Sequence, residues 1–234
     1  MYTLVIGNRN YSSWSLRAWL HLKASGIDCE VVRIPLYSDN YKEKVMEYSP
    51  AGRVPVLVDD TVSPSISVWD SLAIMEHVLE QQQTAAAVGW PQDLADRALA
   101  RSISYEMHSG FLAIRDELPQ NLRMRKTLTA EQLSESCQQQ IARVDEIWKS
   151  CYAKHASSAK KWLFGDEMTI ADIMFAPVAL RFVSYGIKVS AESQKFIDAV
   201  VGNEFVQEWI ELAKQETLDF IDNLVPAAES PLIL

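Results

Sequence analysis

The sequence predicts a mixed α/β domain over residues 1–82, joined by a linker at residues 83–92 to an all-helical domain over residues 93–234. Over about the first 80 residues, short strand-like runs alternate with stretches of helical periodicity. Beyond the linker, the apolar residues show helical periodicity alone. The stretch between them contains a run of alanines and a Gly-Trp-Pro sequence, which interrupts both patterns and is typical of a linker.

The first domain is predicted to have the element order β-α-β-α-β-β-α, which gives a mixed sheet flanked by helices. Gly7-Asn8 closes the first strand, Gly26 is a natural C-terminal stop for the first helix, and Pro35 ends the second strand. The expected strands are Tyr2–Ile6, Cys29–Ile34, Val56–Val58 and Ile66–Trp69, and the expected helices are Ser15–Ser25, Tyr41–Tyr48 and one that begins at Leu72.

The second domain is predicted from apolar residues that repeat every three to four positions. One long helix is expected over Ile103–Leu118, where Pro119 ends it, and another over Cys137–Cys151. Thr169-Ile170-Ala171-Asp172 resembles a capping box, with aspartate in the usual glutamate position, and therefore predicts a helix start. Two further helices are expected within Ala191–Val201 and Glu204–Asn223.

Composition argues against several classes of protein. The net charge of −9 disfavours a nucleic-acid surface, because phosphate binding requires clustered lysine and arginine. No apolar run approaches the roughly 18 residues that a membrane-spanning helix needs, so we expect no membrane partner. The four histidines have no metal-ligand spacing among themselves or with cysteine, so no metal is expected.

The cellular compartment is predicted from the N-terminus and the cysteines. Residues 1–6 show no basic leader and predict a first strand, not a signal peptide. Three cysteines without a Cys-x-x-Cys pair favour a reducing compartment over a disulfide framework. We therefore expect a cytoplasmic protein.

Hydroxyl and amide side chains crowd the loop that leads into the first predicted helix, Asn8–Ser15. A ligand group bound there lies beside the N–H groups and the positive dipole end of a helix N-terminus. Such a site favours a thiolate, because the ordinary thiol pKa of roughly 8.5 has to fall for reactivity at neutral pH. A serine O–H can donate a hydrogen bond to that sulfur. Serine is also a favoured helix cap, so capping alone is an alternative explanation of this loop.

Two further segments carry the same ambiguity. Asp70-Ser71 precedes the helix that begins at Leu72, and the pair either caps this helix or binds a carboxylate and an ammonium group of a ligand. Val54-Pro55 stands before a strand, where proline cannot donate a ladder hydrogen bond. A cis bond there would free the Val54 backbone to pair with an extended peptide, but the low frequency of cis X-Pro bonds, about 5–6%, favours trans.

Taken together, these segments give the chain a resemblance to the cytosolic glutathione transferases over nearly its whole length. The resemblance rests on four short motifs in the right order and at the right separation. They are Ser12-Ser13 before the first helix, Val54-Pro55-Val56-Leu57 before the third strand, Asp70-Ser71-Leu72-Ala73-Ile74 at the third helix, and Thr169-Ile170-Ala171-Asp172 in the second domain. It implies a thioredoxin-like N-terminal domain that binds glutathione and a helical C-terminal domain that forms a pocket for the second substrate.

The resemblance implies roles for the matched residues. The residue before the proline, here Val54, would pair through its backbone with the cysteinyl part of glutathione, with Arg53 and Pro55 beside it. Asp70 and Ser71 would bind the γ-glutamyl end. The capping motif of the second domain would have a structural role.

The second-substrate pocket is expected, again by resemblance, along the long helix that faces the active-site cleft in this family. Met107, His108 and Phe111 could line it. Core packing for Met107 and Phe111, and surface exposure for His108, are the alternatives.

The thiol-activating residue is where the chain departs from the family pattern. When the loop is matched without a gap to the zeta class, which uses a serine here, Asn10 stands at the usual serine position and Ser12 at a neighbouring cysteine position. We rank Ser12 first, then Ser13, then Asn10 and Tyr11, whose amide and phenol can also donate a hydrogen bond. The loop contains no cysteine, which argues against the classes that use a thiol nucleophile.

The predicted function is a glutathione transferase that activates the glutathione thiol for attack on a small hydrophobic electrophile, as in detoxification. Two alternatives stay open: a zeta-like glutathione-dependent isomerase, and a non-catalytic glutathione-transferase-like binding or regulatory module. The resemblance also implies a homodimer. The identity of the electrophile does not follow from the sequence, because the second pocket is built from apolar helix faces that look alike.

Overall fold

The computed structural model describes residues 1–36, 38–81, 88–154 and 161–216. These residues divide into two compact units. The N-terminal unit comprises the described residues up to Val88 together with those from Glu208 onwards, and the helical unit comprises Gly89–Gln207. Part of the predicted linker at residues 83–92 lies outside the described residues, and its boundaries stay a prediction.

The N-terminal unit contains the expected elements in the expected order, so the α/β class and the βαβαββα order are confirmed. The sheet order is β2-β1-β3-β4, with β2 parallel to β1 and the other two pairs antiparallel. The elements are β1 (Tyr2–Ile6), α1 (Ser13–Ala24), β2 (Cys29–Arg33), α2 (Tyr41–Met46), β3 (Val56–Asp59), β4 (Ile66–Val68) and α3 (Ser71–Gln81).

Both faces of this sheet are covered by helices. Val5 of β1 lies opposite Val56 of β3, and both are buried in one cluster with Val45 of α2. Leu4 and Leu57, the next pair in register, point to the other face, because successive side chains of a strand alternate. The helices α1 and α3 contact each other, and contact β1 and β3 respectively. The sheet therefore carries α2 on one face and the α1–α3 pair on the other.

The helical unit confirms the predicted all-helical class. Its elements are α4 (Leu94–Ser109), α5 (Leu112–Glu117), a short 3-10 helix (Ala130–Gln132), α6 (Glu135–Lys154), α7 (Ile170–Tyr185), α8 (Ala191–Val201) and the start of α9 (Glu204–Gln215). In its core, the Trp148 ring lies 4.8 to 5.9 Å from the rings of Phe175, Phe182 and Phe196. No helix in the described ranges is both long and apolar enough to cross a membrane.

The single long helix expected over Ile103–Leu118 is wrong, because the structure has α4 and α5 in its place. Phe111 separates them with a left-handed backbone, φ 58°. The Arg115 guanidinium donates to the carbonyls of Met107, His108 and Gly110, at 2.5 to 3.2 Å. A cation that binds the last carbonyls of α4 stabilises the end of that helix, so the break depends on an arginine from the next helix.

The start of α7 confirms the predicted capping box. The Asp172 carboxylate is fully buried, and one of its oxygens accepts from the N–H and the hydroxyl of Thr169, both at 2.7 Å. The other oxygen accepts from the N–H of Leu163 at 2.8 Å. Asp172 therefore caps the helix and also holds the preceding segment against it.

Asp172→Ala should lower the free energy of unfolding by on the order of 3 kcal/mol, because losing a cap costs about 1 kcal/mol and leaving the buried Leu163 N–H unpaired costs about 1–3 kcal/mol. Urea unfolding measures the loss. Asp166→Ala, at an exposed position of the same segment, is the matched control and should change stability by less than about 0.5 kcal/mol. A loss below about 1 kcal/mol for Asp172→Ala would contradict the double role.

His21 connects α1 to Val88 by a hydrogen bond. Its Nε2 lies 2.8 Å from the carbonyl oxygen of Val88, and the Val88 N–H donates to Ser25 Oγ at 3.0 Å. Since a carbonyl can only accept, Nε2 carries the proton, and the buried Nδ1 has no partner among the described residues. Burial lowers the pKa of His21 to about 4, an effect that the Val88 hydrogen bond opposes.

Stability should therefore fall as the pH drops from about 6.5 to about 4, because in this window the unfolded chain binds a proton that the folded chain does not. The His21 contribution is on the order of 3 kcal/mol across the window. His21→Gln keeps a donor for Val88 without a titrating ring, so its unfolding free energy should depend less on pH. Urea unfolding at pH 7.0 and pH 4.5 checks this, and parallel curves for the two proteins would refute it.

Candidate functional site

The start of α3 carries both predicted γ-glutamyl residues. The Asp70 carboxylate accepts from the N–H of Leu72 at 2.9 Å, and its backbone carbonyl accepts from the N–H of Ile74 at 2.9 Å. Asp70 therefore caps the helix, which is one of the two roles that the sequence predicts for it; the other is ligand binding. Ser71 differs, because its side chain is fully buried and its Oγ has no hydrogen-bond partner among the described residues. This hydroxyl has an unused donor beside the positive end of an 11-residue helix.

The Val54–Pro55 segment leads directly into β3. The peptide bond between the two residues is cis. This is the isomer that the resemblance implies, and it differs from the trans bond that the frequency of X-Pro bonds alone favours. That frequency carries no information on tertiary context. The Val54 side chain packs against the cluster around Val5, and no hydrogen bond within the described ranges uses its backbone N–H or C=O. Arg53 is exposed.

The loop between β1 and α1 brings the four candidate thiol-activating residues together. Asn10, Ser12 and Ser13 are buried, whereas Tyr11 is half-buried. The backbone N–H groups of Tyr11 and Ser12 both donate to the carbonyl of Asn8, at 3.2 and 2.8 Å. The loop is therefore a tight turn that runs directly into the helix.

Hydrogen bonds between two serine hydroxyls and the backbone stabilise this turn. Ser12 Oγ accepts from the N–H of Ser15 at 3.2 Å, so Ser12 is the N-cap of α1. The Ser12 O–H donates to Ser15 Oγ at 2.7 Å, and Ser15 Oγ also accepts from the N–H of Gly7 at 3.1 Å. The capping alternative therefore describes what Ser12 does in the structure, and Ser15 is a partner that sequence reasoning did not single out.

Two of the three cysteines have thiols that are poorly suited to act as nucleophiles. Cys29 is half-buried, and its pKa is raised mainly by burial. Burial likewise raises the pKa of Cys137 to about 11, with the charge of Glu117 adding to the effect. A thiol with a raised pKa is a poor nucleophile at neutral pH. Within the described ranges, no group of three or more His, Cys, Asp or Glu side chains could hold a metal ion.

The three residues predicted for the second-substrate pocket lie in the helical unit around the end of α4. Met107 and Phe111 are buried, which agrees with their alternative role in core packing. His108 is half-buried, and its carbonyl is one of those that the Arg115 guanidinium binds. Their role toward a substrate stays a prediction.

Comparison with known protein families settles the family. The model of the glutathione S-transferase N-terminal domain matches residues 11–81, and that of the glutathione S-transferase C-terminal domain matches residues 128–212. The chain belongs to the glutathione S-transferase family. The resemblance carried by the four motifs is therefore confirmed, and the prediction of a glutathione transferase is confirmed at the level of the family.

Individual relatives support this assignment. The chain is 32% identical over 185 residues to maleylacetoacetate isomerase of Rattus norvegicus, covering 78% of each chain. A solved glutathione transferase homolog from Burkholderia strain BGR1 with bound glutathione has a TM-score of 0.67 at 24% identity, covering 92% of this chain and 99% of that one. Ure2p in complex with S-hexylglutathione has a TM-score of 0.68 at 20% identity, covering 89% and 97%. The structural likenesses establish the fold.

Two residues of this glutathione S-transferase family member contact the candidate loop without any local sequence signal. Trp209 and Glu216, from the last described part of the chain, bind the backbone of Arg9. They lie about 200 positions away in the sequence, so neither periodicity nor motif spacing could have assigned them to this loop.

Proposed function

We propose that the protein binds glutathione in its N-terminal unit, lowers the pKa of the bound thiol, and transfers the thiolate to a small hydrophobic electrophile. The observation that carries this proposal is the fully buried, unpartnered hydroxyl of Ser71 at the start of α3. Leaving a buried polar group unpaired costs free energy, so a ligand atom that pairs with this hydroxyl recovers that free energy on binding.

The α-carboxylate of the γ-glutamyl group is the partner that fits this hydroxyl. Ser71 O–H donates to one carboxylate oxygen, and the N–H groups at the start of α3 stabilise the same negative charge. The carboxylate of Asp70 lies beside it with the sign that attracts the ligand's ammonium group. Charges of both signs at one end of the ligand therefore meet complementary groups.

The backbone of Val54 is suited to the cysteinyl part of glutathione. Its N–H and C=O are not used by described residues, and β3 begins two residues later. An extended peptide that pairs with these two groups adds a short strand to the unit, a recognition mode that depends on main-chain hydrogen bonds. The sulfur then lies at a fixed distance from the γ-glutamyl anchor.

The thiolate requires a hydrogen-bond donor, and the hydroxyl network beneath the loop supports Ser12 in this role. In the structure the Ser12 O–H donates to Ser15 Oγ at 2.7 Å. We propose that both hydroxyls rotate when glutathione binds, so that the Ser15 O–H donates to Ser12 Oγ and the Ser12 O–H donates to sulfur, while Ser15 Oγ still accepts from the N–H of Gly7. Every hydroxyl in this arrangement uses its single proton once. The hydrogen bond favours the charged form of the thiol and lowers its pKa.

The proposed reaction is a nucleophilic substitution at carbon by the glutathione thiolate. Glutathione loses the thiol proton to water, and the thiolate forms a bond to an activated carbon of the electrophile as the leaving group departs with its bonding pair. Positioning of the sulfur and electrostatic stabilisation of its charge supply the catalysis. Met107, His108 and Phe111 are the residues proposed to contact the electrophile.

A glutathione-dependent isomerase is the second candidate, and the 32% identical maleylacetoacetate isomerase of Rattus norvegicus favours it. In this reaction the thiolate adds to a carbon of a cis double bond, the resulting single bond rotates, and glutathione is eliminated unchanged. The two functions differ in whether glutathione is consumed. Transfer consumes one glutathione for each product molecule, whereas isomerisation leaves the free-thiol concentration constant. Titration of free thiol during turnover distinguishes them.

The assembly and compartment are proposed from the family and the sequence. We propose a cytoplasmic homodimer, which sedimentation at micromolar concentration would contradict by showing a monomer. A non-catalytic binding module is the remaining alternative. It requires that glutathione binds with an unchanged thiol pKa and that no electrophile is turned over.

Ser71→Ala should weaken glutathione binding by about tenfold or more, since a hydrogen bond to a charged group contributes about 1.5–3 kcal/mol. Titration calorimetry measures the dissociation constant. Ser65→Ala removes an exposed hydroxyl before β4 and is the matched control, which should leave binding unchanged. Equal affinities for the wild type and Ser71→Ala would overturn the carboxylate assignment.

Ser12→Ala should raise the pKa of bound glutathione by about 1–2 units, because the thiolate loses a hydrogen bond worth about 1.5–3 kcal/mol. Ultraviolet absorbance of the thiolate against pH measures this value. Ser12→Thr keeps the hydroxyl and should restore the low pKa. If Ser12→Ala leaves the pKa unchanged while Ser13→Ala, Asn10→Ala or Tyr11→Phe raises it, the activating residue is the one whose loss has the effect.

A further inference from the structure

Two side chains bind the loop that carries the candidate thiol-activating residues, and both contact the backbone of Arg9. One is on α9 and the other belongs to the residue directly after this helix. The Arg9 N–H donates to both carboxylate oxygens of Glu216, at 3.0 and 2.9 Å. The Arg9 carbonyl accepts from the indole Nε1 of Trp209 at 3.0 Å. Both backbone polar groups of one loop residue are therefore bound by side chains from the far end of the chain. We call these three residues the Arg9 clamp.

Glu216 is itself fixed in place by charge. Its side chain is 7% exposed, and it pairs with the guanidinium groups of Arg9 at 3.2 Å and Arg33 at 3.8 Å. A buried carboxylate is stable only when it is paired and hydrogen-bonded, and two arginines and a backbone N–H meet this requirement. The two cations also offset the negative charge that Glu216 would otherwise bring to the thiolate site.

Trp209 is equally constrained. Its side chain is fully buried, and its ring lies 5.1 Å from the ring of Trp19 on α1. The Arg9 guanidinium lies 5.7 Å from the Trp209 ring centre. The indole N–H therefore cannot move away from the Arg9 carbonyl without disturbing a packed aromatic pair on the helix that follows the loop.

The geometry points to a role in catalysis for this clamp: we propose that Glu216 and Trp209 are positioning residues, which act through Arg9 to hold Asn10–Ser13 where they can donate to the glutathione sulfur. Arg9 directly precedes Asn10, and the N–H groups of Tyr11 and Ser12 both donate to the carbonyl of Asn8, the residue before Arg9. A displaced Arg9 changes the direction in which the loop enters α1, and catalytic donors tolerate little displacement. The inference rests on the proposed activation of glutathione.

The rival explanation is that the clamp only fixes the residues from Glu208 onwards within the N-terminal unit, without any effect on the donors. Both roles lower stability when the clamp is weakened, so stability alone does not separate them. A positioning role also raises the pKa of bound glutathione and shifts the pH dependence of kcat, because the sulfur loses a correctly aimed donor. A purely structural role leaves these two quantities unchanged.

The test uses two substitutions that perturb the clamp in different ways. Trp209→Phe removes the indole donor and keeps an aromatic ring against Trp19. Glu216→Gln keeps one acceptor for the Arg9 N–H and removes the charge. Glu208→Gln is the matched control, because Glu208 lies on α9 and forms an exposed ion pair with Lys23 at 3.0 Å, away from Arg9.

Three quantities are measured on the full-length protein: amide hydrogen exchange of the peptide over residues 7–13, the pKa of bound glutathione by ultraviolet titration, and kcat with KM for glutathione against pH. In both clamp variants we expect exchange to be faster, the thiol pKa to rise by about one unit, and kcat at pH 6.5 to fall about tenfold. The KM for glutathione should change less than about threefold, and kcat should recover at high pH, where the thiolate forms without help. Glu208→Gln should match the wild type in all three.

The outcomes separate this inference from the function on which it rests. Faster exchange in the variants with an unchanged thiol pKa and pH profile would overturn the positioning role and leave the clamp structural. A wild-type protein that binds glutathione without lowering its pKa would contradict the proposed function itself. Unchanged exchange in Trp209→Phe and Glu216→Gln would show that the loop does not depend on the clamp, and would also overturn the inference.

Discussion

The first N–H groups of a helix have no partner within that helix. In both units of this chain, side chains at the helix starts supply the missing acceptors. Each unpaired N–H group has to be bound by a side chain, by water or by a ligand. At α1 the acceptor is the side chain of Ser12, at α3 it is that of Asp70, and at α7 the side chains of Thr169 and Asp172 form a reciprocal capping box. These three positions coincide with three of the four motifs by which the chain resembles its family. These three motifs therefore have a structural role at a helix start, whatever other role they have.

What separates a structural helix start from a binding one is whether polar groups are left over. At α7, both oxygens of Asp172 accept hydrogen bonds from its own chain, and the cap is complete. At α3, Asp70 caps the helix, but the neighbouring Ser71 hydroxyl stays unpaired although it is fully buried. A protein interior tolerates few such groups. Asp172 therefore forms a cap that is complete within the fold, whereas the start of α3 keeps a buried hydroxyl that the fold does not use.

The sequence predicts the features that depend on neighbours along the chain. The Thr169–Asp172 cap, the stop of α1 before Gly26 and the element order of the N-terminal unit are all local, and all are confirmed. The break between α4 and α5 was missed, because the Arg115 side chain that closes α4 comes from the following helix. The cis bond before Pro55 and the contacts of Trp209 with Arg9 likewise depend on tertiary structure, which periodicity and propensity do not contain.

The loop between β1 and α1 shows why the proposed activating residue is harder to predict from sequence than the proposed binding residues. Ser12 already uses its oxygen as the cap of α1, and a hydroxyl has one proton to donate. In the structure that proton is donated to Ser15 Oγ, so Ser12 can serve the sulfur only if this direction is reversed and Ser15 donates to Ser12. The chemical role of Ser12 thus depends on a proton direction that is set by a residue three positions along the helix. Under the proposed mechanism, the identity of the side chain at one position therefore does not decide whether the thiol is activated. The direction of the hydrogen bonds around that side chain decides it.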